Sequence, residues 1–122
     1  MSNANGMMNW VFCDGDLPPS GVNEPLGHEA LMVTNLNDQE AQLSIDILFE
    51  DKPPVQCITA VVDAQRVHCF RLDVPVGDQQ FKIPLGQYSL VLHSDIPVVA
   101  VFGRLDVRQP NLTYYAVQGY SF

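Results

Sequence analysis

Positive charge is scarce in this chain: Lys and Arg together number 6 against 14 Asp and Glu, giving a formal net charge of −8 and an isoelectric point near 4.4. A field of that sign repels phosphate backbones and anionic headgroups, so general nucleic-acid binding and membrane-surface attachment are not expected. Cysteine is sparse too. Cys13, Cys57 and Cys69 are odd in number and far apart, with no C-x-x-C and no histidine pair at zinc spacing, so neither a disulfide framework nor a structural metal is expected. They are expected as buried free thiols in a cytoplasmic protein. No apolar run approaches the roughly 18 residues of a membrane span, and MSNANGMMNW lacks the basic and apolar regions of a secretory signal, so membrane insertion is not expected.

Several catalytic patterns are missing as well. There is no G-x-S-x-G and no H-x-H, and the adjacent side chains of His68-Cys69 would diverge on a strand. Asp14-Gly15-Asp16 has the start of a calcium loop without its remaining ligands and is expected to be a turn. No cofactor is expected. The 3.6-residue periodicity of an amphipathic helix is absent from every window of about eleven residues.

What remains is a chain of period two. At 122 residues it fits one domain around a single core. Residues 1–9, including the tag-like Ser2-Asn3-Ala4, are set aside as a disordered or tag-like segment and 10–122 as the domain. Ala41 to Ile47 alternates strictly, with Phe49 extending the apolar face, as in a strand with one face in a core and one in water. Further strands are expected at Glu29–Thr34, Gln56–Val62, Arg66–Leu72, Tyr88–His93, Val98–Val107 and Leu112–Tyr120. The 9 prolines and 8 glycines punctuate the chain at strand-sized intervals, and Asp51-Lys52-Pro53-Pro54 stops one strand by removing backbone donors. This is the pattern of an all-β protein, a single-domain antiparallel β-sandwich. The Asn111-Leu112-Thr113 sequon is read as coincidence.

The most informative stretch is HSDIPVVAVFGRLDVRQP, residues 93–110, where two of the few basic residues, Arg104 and Arg108, bracket Asp106 at alternate positions. On an uninterrupted strand these three would share a face with Val98, Ala100 and Phe102. Either a bulge at Gly103 shifts the parity, or the strand emerges from the core past Gly103 and carries the triplet to the rim. Both place the charges on one side, about 7 Å apart between neighbours, with Leu105 and Val107 buried on the other. Val98 to Phe102 is apolar at every position, so both of its faces need cover, which points to a homo-oligomer.

The sequence resembles the sensory rhodopsin transducer family from Trp10 to about Tyr120. The resemblance rests on Trp10, Asp14-Gly15-Asp16-Leu17-Pro18-Pro19, His28-Glu29 opening a strand that ends at Asn35, Asp51-Lys52-Pro53-Pro54 and Ser94-Asp95-Ile96-Pro97-Val98-Val99. Its specific element is Arg104-Leu105-Asp106-Val107-Arg108-Gln109. The family signature usually carries serine where Val107 stands, so a hydrogen bond from that position is absent here. The resemblance implies a β-sandwich assembling as a tetramer, with a non-enzymatic signalling role in which a small polar molecule, such as a sugar, or a partner protein is recognised.

The candidate ligand-binding set is Arg104, Asp106, Arg108, Trp10, His28, Glu29 and Asn35, with no catalytic and no metal residue. Arginine offers a planar fork of donors and the aspartate accepts from hydroxyls; the competing reading of the triplet is a structural ion-pair ladder. His28 and Glu29, adjacent on a strand, face opposite sides, so only one can join the stripe. Trp10, expected beside a loop rather than inside a strand, is either a sugar-stacking face or a lid on the core. The alternative function is a carbohydrate-active enzyme using Glu29, Asp106 and a histidine as acid and base.

Overall fold

The alternation of residues 41–47 builds the strand it predicts: β3 (Ala41–Leu48) buries Ala41, Leu43, Ile45 and Ile47 and turns Gln42 to water, and Phe49 packs against the core beyond its end. The structure, a computed structural model, describes residues 5–108 and 112–122. These residues form strands and loops, without a helix. The remaining strands are β1 (Met7–Leu17), β2 (His28–Asn35), β4 (Val55–Val62), β5 (Arg66–Arg71), β6 (Gly86–Asp106), β7 (Thr113–Val117) and β8 (Tyr120–Ser121). Every pairing is antiparallel. Gln109 and Asn111, part of the signature and of the sequon, lie outside the described residues, as does Ser2-Asn3-Ala4.

The fold is an antiparallel β-sandwich whose two sheets are joined by one strand. The first half of the 21-residue β6 pairs with β1 and β3 in a sheet ordered β4-β3-β6-β1-β8. Its second half pairs with β2 and β7 in a sheet ordered β5-β2-β6-β7. The sequence suggested two strands here, with Ser94-Asp95-Ile96-Pro97 between them. A single strand runs through instead, because Pro97 sits where β6 leaves one sheet for the other and its missing N–H interrupts neither ladder.

Between the sheets lie Trp10, Phe12, Leu90 and Leu92 from one side and Leu31, Val33, Ala100 and Phe102 from the other. The rings of Trp10, Phe12 and Phe102 follow one another at centroid separations of 6.4 and 5.8 Å. Burying a large apolar side chain contributes about 1.5–3 kcal/mol, so this shared interior carries the stability.

Three expectations are corrected. Trp10 lies inside β1, and the strand begins at Met7, so residues 7–9 of the segment set aside as disordered are paired with the body. Asp14-Gly15-Asp16 is also strand rather than turn, following a bulge between Phe12 and Gly15. Cys13, Cys57 and Cys69 are exposed, because each sits at a position of outward parity or in a bulge; Cys69 faces out opposite Met32, and Cys57 has a φ of 62° where β4 bulges against β3.

Candidate functional site

The ladder between β2 and β6 runs without a register shift from Thr34↔Val99 to His28↔Leu105, so Gly103 carries no bulge. Parity is therefore unbroken. Arg104 stands on the face that buries Val98, Ala100 and Phe102, and that face turns from apolar to charged as the strand leaves the core. Leu105 and Val107, expected to be buried on the opposite side, are only half-buried.

What takes over from the core is a polar cluster drawn from both sheets. Glu29 of β2, fully buried, is the direct cross-strand neighbour of Arg104 and accepts from Arg104 Nε at 2.7 Å. Tyr88 of β6 donates its hydroxyl across the sandwich to the other Glu29 oxygen at 2.7 Å, and the Asp16 backbone N–H donates to Glu29 Oε2 at 2.9 Å. The Asp14 carbonyl accepts from Arg104 Nη2 at 2.8 Å. The Asp14-Gly15-Asp16 segment thus wraps the ion pair with its backbone. Gly15 is required there, since a Cβ would lie 2.5 Å from the Tyr88 ring. Burial, then the charge of Glu29 and the bond to it, push the Tyr88 phenol far above its ordinary value. Burial pulls the Arg104 guanidinium down, but the Glu29 hydrogen bond and charge outweigh it and leave it raised.

Outward of this cluster is a cleft of about 530 Å³ lined by Arg104, Asp106, Arg108, Thr113 and Tyr115. β7 supplies its second wall, with Arg104 opposite Tyr115 and Asp106 opposite Thr113. The Arg104 guanidinium carbon lies 5.1 Å from the centre of the Tyr115 ring, a cation–π contact that holds the ring beside the cleft. Asp106 accepts from Arg108 Nε at 3.0 Å and from the Arg108 backbone N–H at 2.9 Å. Those bonds, the side-chain one first, hold the Asp106 carboxyl at about 2, below its ordinary 3.8. The cleft therefore presents guanidinium donors, a carboxylate acceptor, a threonine hydroxyl and an aromatic ring.

The structure brings Arg104, Asp106, Arg108 and Glu29 together and leaves the other candidates apart. His28 lies on the opposite face of β2, its Nδ1 within 2.8 Å of the Leu26 carbonyl. Trp10 is buried, with Nε1 donating to the Met7 and Val98 carbonyls at 3.1 and 3.2 Å, so its ring is core. Asn35, fully buried at the far end of β2, donates to the Gln39 and Val62 carbonyls and accepts from Asn37, which ties the turn after β2 together. Among the other histidines, His68 packs tilted against Phe70 with ring centroids 4.1 Å apart, and His93 lies between Asn9 and Asp46 on an outer face. Tyr88, Thr113 and Tyr115 were not among the candidate site residues, and Asp14-Gly15-Asp16 was expected only as a turn. Among the described residues, no three His, Cys, Asp or Glu side chains group in a way that could hold a metal ion, and no helix is long and apolar enough to cross a membrane.

Comparison with known proteins follows the same outline. The family described as Anabaena sensory rhodopsin transducer matches residues 5–121. A solved structure described as Thermotoga maritima 1070 is 32% identical, covers 97% of each chain and superposes with a TM-score of 0.85. The structure of the Anabaena sensory rhodopsin transducer is 31% identical over 81% of this chain and 95% of its own, with a TM-score of 0.70. No curated protein matches the chain.

Proposed function

The chain belongs to the sensory rhodopsin transducer family, and on that premise we propose that it is a non-enzymatic signalling module of the cytoplasm that binds a small polar ligand in the Arg104–Asp106–Arg108 cleft. Binding passes to a partner signalling protein. The observation that carries this reading is the division of labour along one strand. Arg104 is fixed by a fully buried carboxylate behind it, while Asp106 and Arg108 stand at the open end of the same cleft. A preorganised guanidinium loses little freedom on binding, which favours recognition of an anion or a polyol. An acid–base enzyme is disfavoured because both Glu29 oxygens are engaged away from solvent and the lining residues of the cleft include no histidine.

The assembly we propose is a homotetramer, formed through the outer face of the second sheet. There Val99 and Tyr114 are exposed, with half-buried Val101 and Leu105 beside them, and Tyr114 lies over Gly103. An apolar stripe on an otherwise acidic surface is best covered by another copy carrying the same stripe.

Nuclear magnetic resonance titration of the protein with sulfate, phosphate and a panel of neutral monosaccharides tests the binding site. Saturable shifts at Arg104, Asp106 and Tyr115 are expected for at least one probe; shifts confined to other surfaces would remove the assignment.

A further inference from the structure

Residues 113–122 form a strap across one side of the sandwich. β7 lies on the edge of the second sheet, paired with β6, and Gln118-Gly119 then crosses to β8 on the edge of the first, where Tyr120 faces Val11 and Ser121 faces Trp10. The crossing is close. A Cβ on Gly119 would lie 2.6 Å from the Val11 carbonyl oxygen and 2.7 Å from the Phe12 ring. Beyond β8, the Phe122 N–H donates to the Asn9 carbonyl and Asn9 Nδ2 donates to the Phe122 carbonyl, each at 3.0 Å.

What the strap lacks is an anchor in the core. Each strand from β1 to β6 buries at least one apolar side chain, whereas no residue of β7 or β8 is buried. The side chains of β7 that share the parity of Arg104 end in clefts instead. Thr113 and Tyr115 line the Arg104 cleft, and Val117 lines a smaller one of about 250 Å³ against Phe12 and Phe102. The strap is therefore held by backbone ladders, by the Asn9 bonds and by the contact of Tyr115 with Arg104. A segment with few buried apolar contacts and exposed backbone bonds opens at a lower free energy than the whole domain.

The two walls of the Arg104 cleft thus differ in strength. Arg104 is fixed to the body by Glu29 and the Asp14 carbonyl, while Thr113 and Tyr115 belong to the strap. Unpairing of β7 removes the second wall and leaves the first in place. A ligand that touches both walls binds the paired state alone, so it favours that state by mass action. We propose that residues 113–122 are a latch that opens on an intact sandwich and that a ligand in the Arg104 cleft holds shut. The proposal rests on the assignment of that cleft as the binding site. Tyr114, adjacent to Tyr115 and so on the other face of β7, is 58% exposed and belongs to the apolar stripe of the proposed subunit face. Occupancy of the cleft and the surface offered to another subunit therefore change together, which is how binding reaches the outside of the molecule.

The test is amide hydrogen exchange of the whole chain, followed by nuclear magnetic resonance at several dilutions and in urea below the unfolding transition. The ladder amides of β7 are expected to exchange at least about tenfold faster than those of β2, because a local opening lies below the global one. Their rates should change little with urea, since the opening exposes little surface, while those of β2 rise. Gly119→Ala lies outside the Arg104 cleft and forces the crossing away from Val11. It is expected to speed exchange in β7 and to leave β2 unchanged. Whichever of sulfate, phosphate and neutral monosaccharides shifts the Arg104 resonances is expected to slow exchange in β7, and to bind Gly119→Ala more weakly in proportion to the lost closed fraction. The proposal is overturned if β7 is as protected as β2 at every dilution, or if Gly119→Ala speeds both strands together or neither. A probe that saturates the cleft without slowing β7 overturns the latch and spares the binding site. A panel that shifts no cleft resonance removes the site, and the ligand's hold on the latch with it.

Discussion

Glu29 and Arg104 face each other directly across the β2–β6 ladder, and their side chains meet at 2.7 Å where the apolar interior ends. One partner is wholly buried and the other nearly so, with 12% of the Arg104 side chain exposed. Removing either leaves a charge without its counterpart in a dry environment. Glu29→Ala is therefore expected to destabilise the fold by about 3–5 kcal/mol, measured by urea denaturation. A loss within the range of an exposed ion pair, under about 1 kcal/mol, would show that the pair has no part in the core.

Tyr88 ties the first sheet to this pair through its hydroxyl. Tyr88→Phe keeps the ring against Gly15 but strips one Glu29 oxygen of its donor. A cost of about 1–3 kcal/mol is expected, as for a buried acceptor left unsatisfied. Equal midpoints in denaturant for the two proteins would contradict the inter-sheet bond.

Asp106 supplies the pH signature. Its carboxyl is lowered in the folded state, to about 2 from 3.8, so the stabilisation it contributes is complete above the unfolded value and disappears as pH falls through the folded one. Carboxyl-carbon resonance titration should place Asp106 well below the other aspartates, and Arg108→Ala should return it toward the ordinary range. An Asp106 titration unmoved by that substitution would break the link between the two side chains.

The oligomer has its own test. Val101 lies on the outer face of the second sheet, opposite Met32 and half-buried in the single chain. For the proposed tetramer, light scattering is expected to give four times the chain mass for the parent protein and folded monomers for Val101→Asp. A monomeric parent would remove the interface, and unfolding of the variant would move Val101 into the core of its own chain.

The β-sandwich was legible because period-two alternation depends only on which face a side chain meets, as at Ala41 to Ile47. The charged end of β6 was legible for the same reason, and unbroken parity through Gly103 selects emergence from the core over a bulge. Other features depend on contacts between segments far apart in the chain. Tyr88 reaches Glu29 only because the sheets are stacked, and Asp14-Gly15-Asp16 mimics a turn in composition while the bulge in β1 makes it backbone cover for Arg104. Trp10 shows the limit most plainly. The nearby Pro-rich stretch at Pro18-Pro19 suggested a loop, but pairing with both β6 and β8 holds it in a strand. Asn35, in the candidate set by its place at a strand end, holds a turn instead.

The central claim, that Asp106 and Arg108 complete a binding cleft rather than a structural ladder, is tested most directly by the thermal response of two proteins to one probe panel. Sulfate, phosphate and neutral monosaccharides are titrated against the parent chain and Arg108→Ala, and Tm is followed in each. A ligand that binds only the folded state raises Tm by mass action. The account predicts a saturable rise for the parent with at least one probe, its loss in Arg108→Ala, and an unliganded Tm for Arg108→Ala lowered only by the small worth of an exposed ion pair, since Arg108 is exposed. A parent that responds to none of the probes, or an Arg108→Ala protein that is destabilised without ligand and responds as the parent does, would contradict it.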